Sequence, residues 1–195
     1  MRAKGLGANV TVTEVDPIRA IEAKMDGLQV KKMVDAVKTA EILITVTGCK
    51  DIVREEHLRA MKDGCIMGNV GHFDNEISKP ALKSLSKGCT RVREFVDEYE
   101  MNDGRRIYLI SDGRLMNLAA GQGHPAEIMD MSFAVQALGL EYMVKNHASM
   151  KPEVYTAPDS LDYEIARTKL AAMGVTIDDL TDEQRAYITG WQEGT

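Results

Sequence analysis

The sequence has no excess of positive charge, few cysteines and no long apolar run, and each shortage excludes something. Lys and Arg number 24 against 30 Asp and Glu, a net charge of −6. Nothing therefore draws the chain generally to phosphate backbones or anionic lipid, and small neutral or zwitterionic partners are expected rather than nucleic acid or membrane. The three cysteines, Cys49, Cys65 and Cys89, form no C-x-x-C pair, and their odd count argues against a disulfide framework. The four histidines, His57, His72, His124 and His147, are scattered rather than spaced as ligands, so no metal site is expected. No apolar run approaches the roughly 18 to 20 residues of a membrane span, and the opening Met-Arg-Ala-Lys-Gly lacks a signal peptide's apolar segment. A cytoplasmic protein is expected. With 44% hydrophobic residues, 28% charged and 5% aromatic over 195 residues, the chain can bury a real core in one large domain or one and a half small ones.

What is present is alternation. From residue 8 to about 70, short β-branched runs alternate with longer helical stretches, the βαβ pattern of a parallel sheet covered on both faces. The first run is 8–14, Ala-Asn-Val-Thr-Val-Thr-Glu. Pro17 then opens a helix that Gly27 closes. A weaker run at 29–33 reads as a sheet edge, whereas 41–47 and 65–70 are apolar enough to be buried on both faces, with a helix over 54–61 between them. Around Asn102-Asp103-Gly104 the runs 91–98 and 105–110 read as a β-hairpin on the sheet edge. From Pro125 the chain becomes helical and apolar nearly all round, which calls for burial at a domain or subunit interface. A linker at 151–158 and a helix over 161–173, stopped by Gly174, follow. Thr181-Asp182-Glu183-Gln184 is a capping box that opens a last short helix.

The fold class is thus α/β, a doubly wound Rossmann-type sheet followed by C-terminal helices. A dinucleotide-binding sheet begins with a strand, a Gly-x-Gly-x-x-Gly turn and a helix. Here residues 1–7 resemble the last turns of that first helix, and the next strand ends at Glu14, where the acidic ribose ligand belongs. In the strand order 3-2-1-4-5-6 the strand not seen is the central one, between the runs at Val10 and Leu43. The expectation is a C-terminal fragment, with an incomplete cofactor domain over 1–120 and a helical segment over 121–195 that packs on a substrate domain and on neighbouring subunits.

Several segments in this order carry a family resemblance: Val12-Thr13-Glu14-Val15-Asp16-Pro17, Thr45-Val46-Thr47-Gly48-Cys49, Met61-Lys62-Asp63-Gly64, Asn69-Val70-Gly71-His72-Phe73-Asp74, Gly104-Arg105-Arg106-Ile107, and Gly113-Arg114-Leu115-Met116-Asn117-Leu118 running to Gly123-His124-Pro125. The chain resembles the C-terminal half of S-adenosyl-L-homocysteine hydrolases (adenosylhomocysteinases). The resemblance implies reversible hydrolysis of S-adenosylhomocysteine to adenosine and homocysteine in the methyl cycle, by a homotetramer holding NAD tightly. In that mechanism the cofactor oxidises the ribose 3′-hydroxyl, homocysteine is eliminated, water adds and the ketone is reduced again.

Matched residue by residue, the resemblance implies that Glu14 binds the adenosine ribose of NAD, with Arg19 nearby where many members have asparagine. Thr45, Thr47, Gly48, Asn69, Val70 and Gly71 are implied cofactor contacts, and Asn117 and His124 meet the nicotinamide end. His72 is the implied catalytic residue, since a histidine can hydrogen-bond or relay a proton near neutral pH. His72, Leu115, Gly123, His124, Met129 and Phe133 are implied substrate contacts, the apolar ones lining the adenine pocket, and Gln122 stands where many members have methionine. The short end at Trp191-Gln192-Glu193-Gly194-Thr195 resembles the shorter-tailed members. Cys49 and Cys65 read as small core residues.

Two other readings compete. An NAD-dependent 2-hydroxyacid dehydrogenase shares the doubly wound sheet, but Gly71-His72-Phe73-Asp74 does not fit its scheme of an Arg, an acid and a late His. A non-catalytic NAD-binding module is the second.

Overall fold

A computed structural model of the chain describes residues 1–191; the final four, and with them most of the tail considered above, lie outside the described residues. The elements run in the order α1 (Arg2–Gly5), β1 (Thr11–Val12), α2 (Pro17–Met25), β2 (Gln29–Val30), α3 (Met33–Ala36), β3 (Ile42–Thr45), α4 (Glu55–Ala60), β4 (Ile66–Asn69), α5 (Lys79–Leu85), β5 (Ser86–Arg93), β6 (Val96–Met101), β7 (Arg106–Ile110), α6 (Met116–Ala119), α7 (Ala126–Asn146), α8 (Asp159–Ala172) and α9 (Asp182–Thr189). They fall into two compact units, Met1–Gly123 and His124–Thr195.

Within the first unit the strands form two sheets. β1 and β2 pair in parallel, Thr11 opposite Gln29. The other sheet has the order β3-β4-β7-β6-β5, with β3, β4 and β7 parallel and β5 and β6 an antiparallel edge. This is the Rossmann-type α/β architecture read from the sequence, with the ladder interrupted between β1 and β3. The core lies under the larger sheet, where Val37, Leu58, Met67, Ile77, Leu82, Ile107 and Leu109 are essentially inaccessible. β4 is the most buried strand, with Met67, Gly68 and Asn69 all buried. β3, expected from its apolar run to be buried on both faces, is buried on one face only. Leu43 packs on the core, whereas Ile42 and Ile44 stay 64% and 50% exposed.

The local signals are physical ones. Asp16 caps α2 by accepting from Ile18 N–H at 2.8 Å, with Pro17 in the first turn. The capping box of α9 is complete: Gln184 N–H donates to Thr181 Oγ1 at 3.2 Å, and Thr181 N–H to Gln184 Oε1 at 2.9 Å.

Three expectations need correction. The run 29–33 is a two-residue strand that passes into α3, because a helical turn there sends Val37 into the core at 0% exposure. The run 91–98 is two strands: β5 turns back into β6 at Phe95, which takes a left-handed φ of 61° without a glycine to signal it. Cys49 is exposed rather than a core residue, whereas Cys65 is buried.

Burial pushes the Cys65 thiol up to about 11, so an alkylating reagent at neutral pH should spare Cys65 in the folded protein and modify it only as denaturant opens β4. Mass-spectrometric detection of Cys65 labelling without denaturant would show that the strand opens on its own.

The second unit is helical. Leu161 and Ile165 of α8 are buried, and Lys169 Nζ meets Asp130 Oδ2 at 2.7 Å between α8 and α7. In this single chain none of the residues of α7 is buried.

Candidate functional site

The carboxyl ends of β3 and β4 are where an open α/β sheet holds ligands, and here their turns are tied together from within. β3 ends at Thr45, whose hydroxyl donates to Asn69 Oδ1 at 3.4 Å. Asn69 ends β4 and is wholly buried. Its Oδ1 also accepts from Gly71 N–H at 2.7 Å, and its Nδ2 donates to the carbonyls of Phe73 at 2.7 Å and Gly113 at 3.0 Å. The Asn69 amide is thus satisfied internally and shapes the turn over residues 70–73.

Glu76 does the same for the turn after β3, and sequence reading passed over it. It is 1% exposed. Its Oε2 accepts from Thr47 N–H at 3.2 Å and Thr47 Oγ1 at 3.0 Å, and its Oε1 from Gly48 N–H at 2.6 Å. Thr47 Oγ1 in turn accepts from Cys49 N–H at 3.1 Å. The donors of Thr47 and Gly48 therefore point inward to Glu76. Gly71 closes this arrangement, because a Cβ built there would lie 1.8 Å from Glu76 Oε1 and 2.9 Å from Gly48 N. Gly48 has a φ of +68°, a conformation that favours glycine.

Beyond the turn, His72 is exposed, and its ring lies beside Phe73 with centroids 4.1 Å apart and planes tilted by 59°. Lys79 pairs with Asp74 and holds its carboxyl below the usual carboxylate range. Leu115 bridges onto Asn69 and lines an open, mostly apolar concavity of about 430 Å³ together with Phe73, Asp74, Arg114, Leu118 and Ala119. Two residues later, Asn117 Oδ1 is buried with no hydrogen-bond partner among the described residues. Such an orphaned acceptor costs free energy unless a ligand or water completes it.

The structure therefore brings together Thr45, Thr47, Gly48, Asn69, Val70, Gly71, His72, Leu115 and Asn117. Glu14 belongs to the smaller sheet. It is exposed, and its Oε1 accepts from Val15 N–H at 2.7 Å and Asp16 N–H at 3.1 Å. The bonds from Asp16 and Val15 hold its carboxyl below the usual range. Arg19, one helical turn on, points to Asp16 at 3.8 Å. Gly123, with φ +72°, ends the first unit, whereas His124, Met129 and Phe133 open the second, with Phe133 57% exposed. Gly121-Gln122-Gly123-His124-Pro125-Ala126 has the spacing of a dinucleotide turn, but it follows α6 rather than a strand and so lacks the context that gives that motif its meaning.

Residues 1–123 match the family model for the NAD-binding domain of S-adenosyl-L-homocysteine hydrolase. The chain belongs to the S-adenosyl-L-homocysteine hydrolase family. Over its whole length it is 55% identical to an S-inosyl-L-homocysteine hydrolase of Methanocaldococcus jannaschii, covering 47% of that protein. It is 56% identical to an S-inosyl-L-homocysteine hydrolase of Methanothermobacter thermautotrophicus, covering 47% of it. With an adenosylhomocysteinase of Thermococcus kodakarensis it shares 54% identity and covers 46%. The chain thus spans about half the length of the curated relatives it matches. No helix among the described residues is long and apolar enough to cross a membrane.

NAD is the cofactor of the matched domain, and the residues present fit it. Two acceptors suit a ligand that brings carboxamide N–H and ribose O–H donors: the unpaired Asn117 Oδ1 and, at the smaller sheet, the exposed Glu14 carboxylate.

Proposed function

We propose that the full-length protein reversibly hydrolyses S-adenosyl-L-homocysteine to adenosine and L-homocysteine, using NAD. The observation that carries this reading is that the resemblance to S-nucleosylhomocysteine hydrolases extends over all 195 residues at 54–55% identity. When bound, NAD would supply a hydride acceptor for the ribose 3′-carbon and return the hydride at the end of the cycle.

The chain's own residues do the rest. Glu14 accepts from the two hydroxyls of the cofactor's adenosine ribose and disfavours a 2′-phosphate by charge. Asn117 Oδ1 accepts from the nicotinamide carboxamide and so fixes which ring face meets the substrate; His124 is a further cofactor contact that the family resemblance implies. Val70 and Gly71 present the turn to the nicotinamide, while Asn69 and Thr45 hold that turn and Thr47 and Gly48 hold the one beside it. Arg19 lies at the ribose end through Asp16. His72 hydrogen-bonds the substrate ribose and holds or moves a proton there. Leu115 contributes apolar surface toward the purine, and the family resemblance implies further substrate contacts from Gly123, His124, Met129 and Phe133. The exposed apolar surface of α7 supports a further reading, that residues 121–195 pack on a substrate domain and on other subunits of a tetramer. A cytoplasmic setting belongs to the same reading.

A second reading is that the purine is hypoxanthine, since two relatives with 55% and 56% identity are S-inosyl-L-homocysteine hydrolases. Parallel assays of the full-length protein on S-adenosyl- and S-inosyl-L-homocysteine decide between them by kcat/KM. Turnover of lactate-like acids and of neither thioether would favour the dehydrogenase reading, and NAD binding without any turnover would favour the non-catalytic one.

Two substitutions test the roles. Glu14→Ala should weaken NAD binding by about ten- to hundredfold, through loss of charge-assisted bonds to the ribose; unchanged affinity in a fluorescence titration would remove Glu14 from the site. His72→Ala and His124→Ala should each lower kcat while leaving Tm nearly unchanged, because both side chains are exposed. A variant that keeps full activity would show its histidine to be dispensable.

A further inference from the structure

Glu76 is a buried carboxylate to which the mechanism above gives no part. Burying a carboxylate costs free energy unless hydrogen bonds replace its water. Here all three replacements come from one turn: the N–H groups of Thr47 and Gly48 and the Thr47 hydroxyl. Because Cys49 N–H occupies a lone pair of that hydroxyl, the hydroxyl proton is directed at Glu76, and the carboxylate faces donors only. On its other side the carboxylate fills the space that a Cβ on Gly71 would need. The backbone of Glu76 is anchored as well, its carbonyl accepting from Val53 N–H at 2.9 Å. One side chain therefore sets the distance between the turn after β3 and the turn after β4.

We propose that Glu76 is a positioning residue that clamps the Thr47–Gly48 turn against the Gly71–His72 turn, fixing the spacing of the two backbone segments that receive the nicotinamide end of NAD. This rests on the reading of those turns as the cofactor face. An acceptor-only group of this length is required. Glutamine has the same shape but must aim its NH2 at a backbone N–H whichever way it turns, and aspartate is one methylene too short to reach both Thr47 and Gly48.

The test is NAD binding to the full-length protein freed of cofactor, by fluorescence titration at room temperature, with Tm recorded with and without NAD. Glu76→Gln should raise the Kd for NAD by roughly ten- to hundredfold and shrink the NAD-induced rise in Tm, and Glu76→Asp should not rescue either. Thr47→Val, which removes the hydroxyl's bonds to Glu76 and Cys49 but keeps the two backbone N–H bonds to Glu76, should move Kd in the same direction by a smaller factor. A purely structural staple would lower the Tm of the cofactor-free protein yet leave Kd unchanged, and that result overturns the proposal. If Glu76→Gln does not fold, Thr47→Val decides, and a wild-type Kd in that variant overturns the clamp. Wild-type protein that binds no NAD would overturn the functional reading itself, whereas tight wild-type binding retained in both variants overturns the clamp alone.

Discussion

Gly71→Ala is expected to unfold the turn that Gly48→Ala would merely strain, and to abolish NAD retention by the full-length protein. The added Cβ would sit 1.8 Å from Glu76 Oε1, 2.7 Å from its Cδ and 2.9 Å from the backbone nitrogen of Gly48. None of these atoms can yield cheaply. Glu76 is held by three hydrogen bonds, and Gly48 N–H is one of its donors. Overpacking a core by a methyl typically costs about 1 to 3 kcal/mol. Here the displaced carboxylate would also leave buried donors unpaired, at about 1 to 3 kcal/mol each, so a loss above roughly 4 kcal/mol is expected. Gly88→Ala is the control: a Cβ there meets nothing within 4 Å, and its effect should be slight. Calorimetry of both variants checks the argument, and a Gly71→Ala protein melting like wild type would mean that the two turns are not in contact.

The contrast between Gly71 and Glu76 shows what could be read in the sequence. The apolar runs of β3 and β4 and the Asp16-Pro17 and Thr181-Gln184 caps are local codes, in which periodicity or a cap lies within a few residues of the element it specifies, so sequence alone sufficed. Glu14 was legible as a site residue from its place after a strand and from family resemblance, and Asn117 from the resemblance alone. Glu76 was not. Its partners Thr47 and Gly48 lie 29 and 28 residues away, and within His-Phe-Asp-Asn-Glu it reads as one more surface charge until tertiary contact buries it. The signal available was indirect: a glycine that begins no helix marks a tight turn or a close approach, and Gly71 lies five residues before Glu76. Asn69 was legible as a site residue but not as one whose amide is satisfied internally. The reversal at Phe95 was hidden because a left-handed φ there comes without glycine or asparagine. His57 makes the opposite point: its Nδ1 accepts from Arg54 N–H at 3.1 Å, and burial pushes its pKa down, so this histidine caps α4.

The 195-residue chain produced by itself is expected to bind no NAD, to hydrolyse no thioether and to melt without a sharp transition. The argument starts from the sheets. Among the described residues β1 pairs only with β2, and β3 only with β4, so each sheet ends in an edge where the doubly wound order 3-2-1-4-5-6 has one more parallel strand. Nearby apolar side chains are left in water: Ile42 and Ile44 on β3, and Ile18, Ile21 and Met25 on α2, the last 83% exposed. Burying each fully would contribute about 1.5 to 3 kcal/mol. Five of them together approach the net stability of a whole domain, about 5 to 15 kcal/mol. Open edges beside such a patch favour association between chains. Supplying, on the same polypeptide, a strand, a glycine turn and a helix ahead of residue 1 should join the sheets, restore a sharp transition and bring NAD binding. It should not bring hydrolysis, because the residues corresponding to the rest of the relatives would still be needed. Sedimentation velocity, dye binding and a thermal scan of the two chains side by side make the comparison. A sharply melting monomer of 195 residues that copurifies with NAD would show that β1 and β3 need no strand between them.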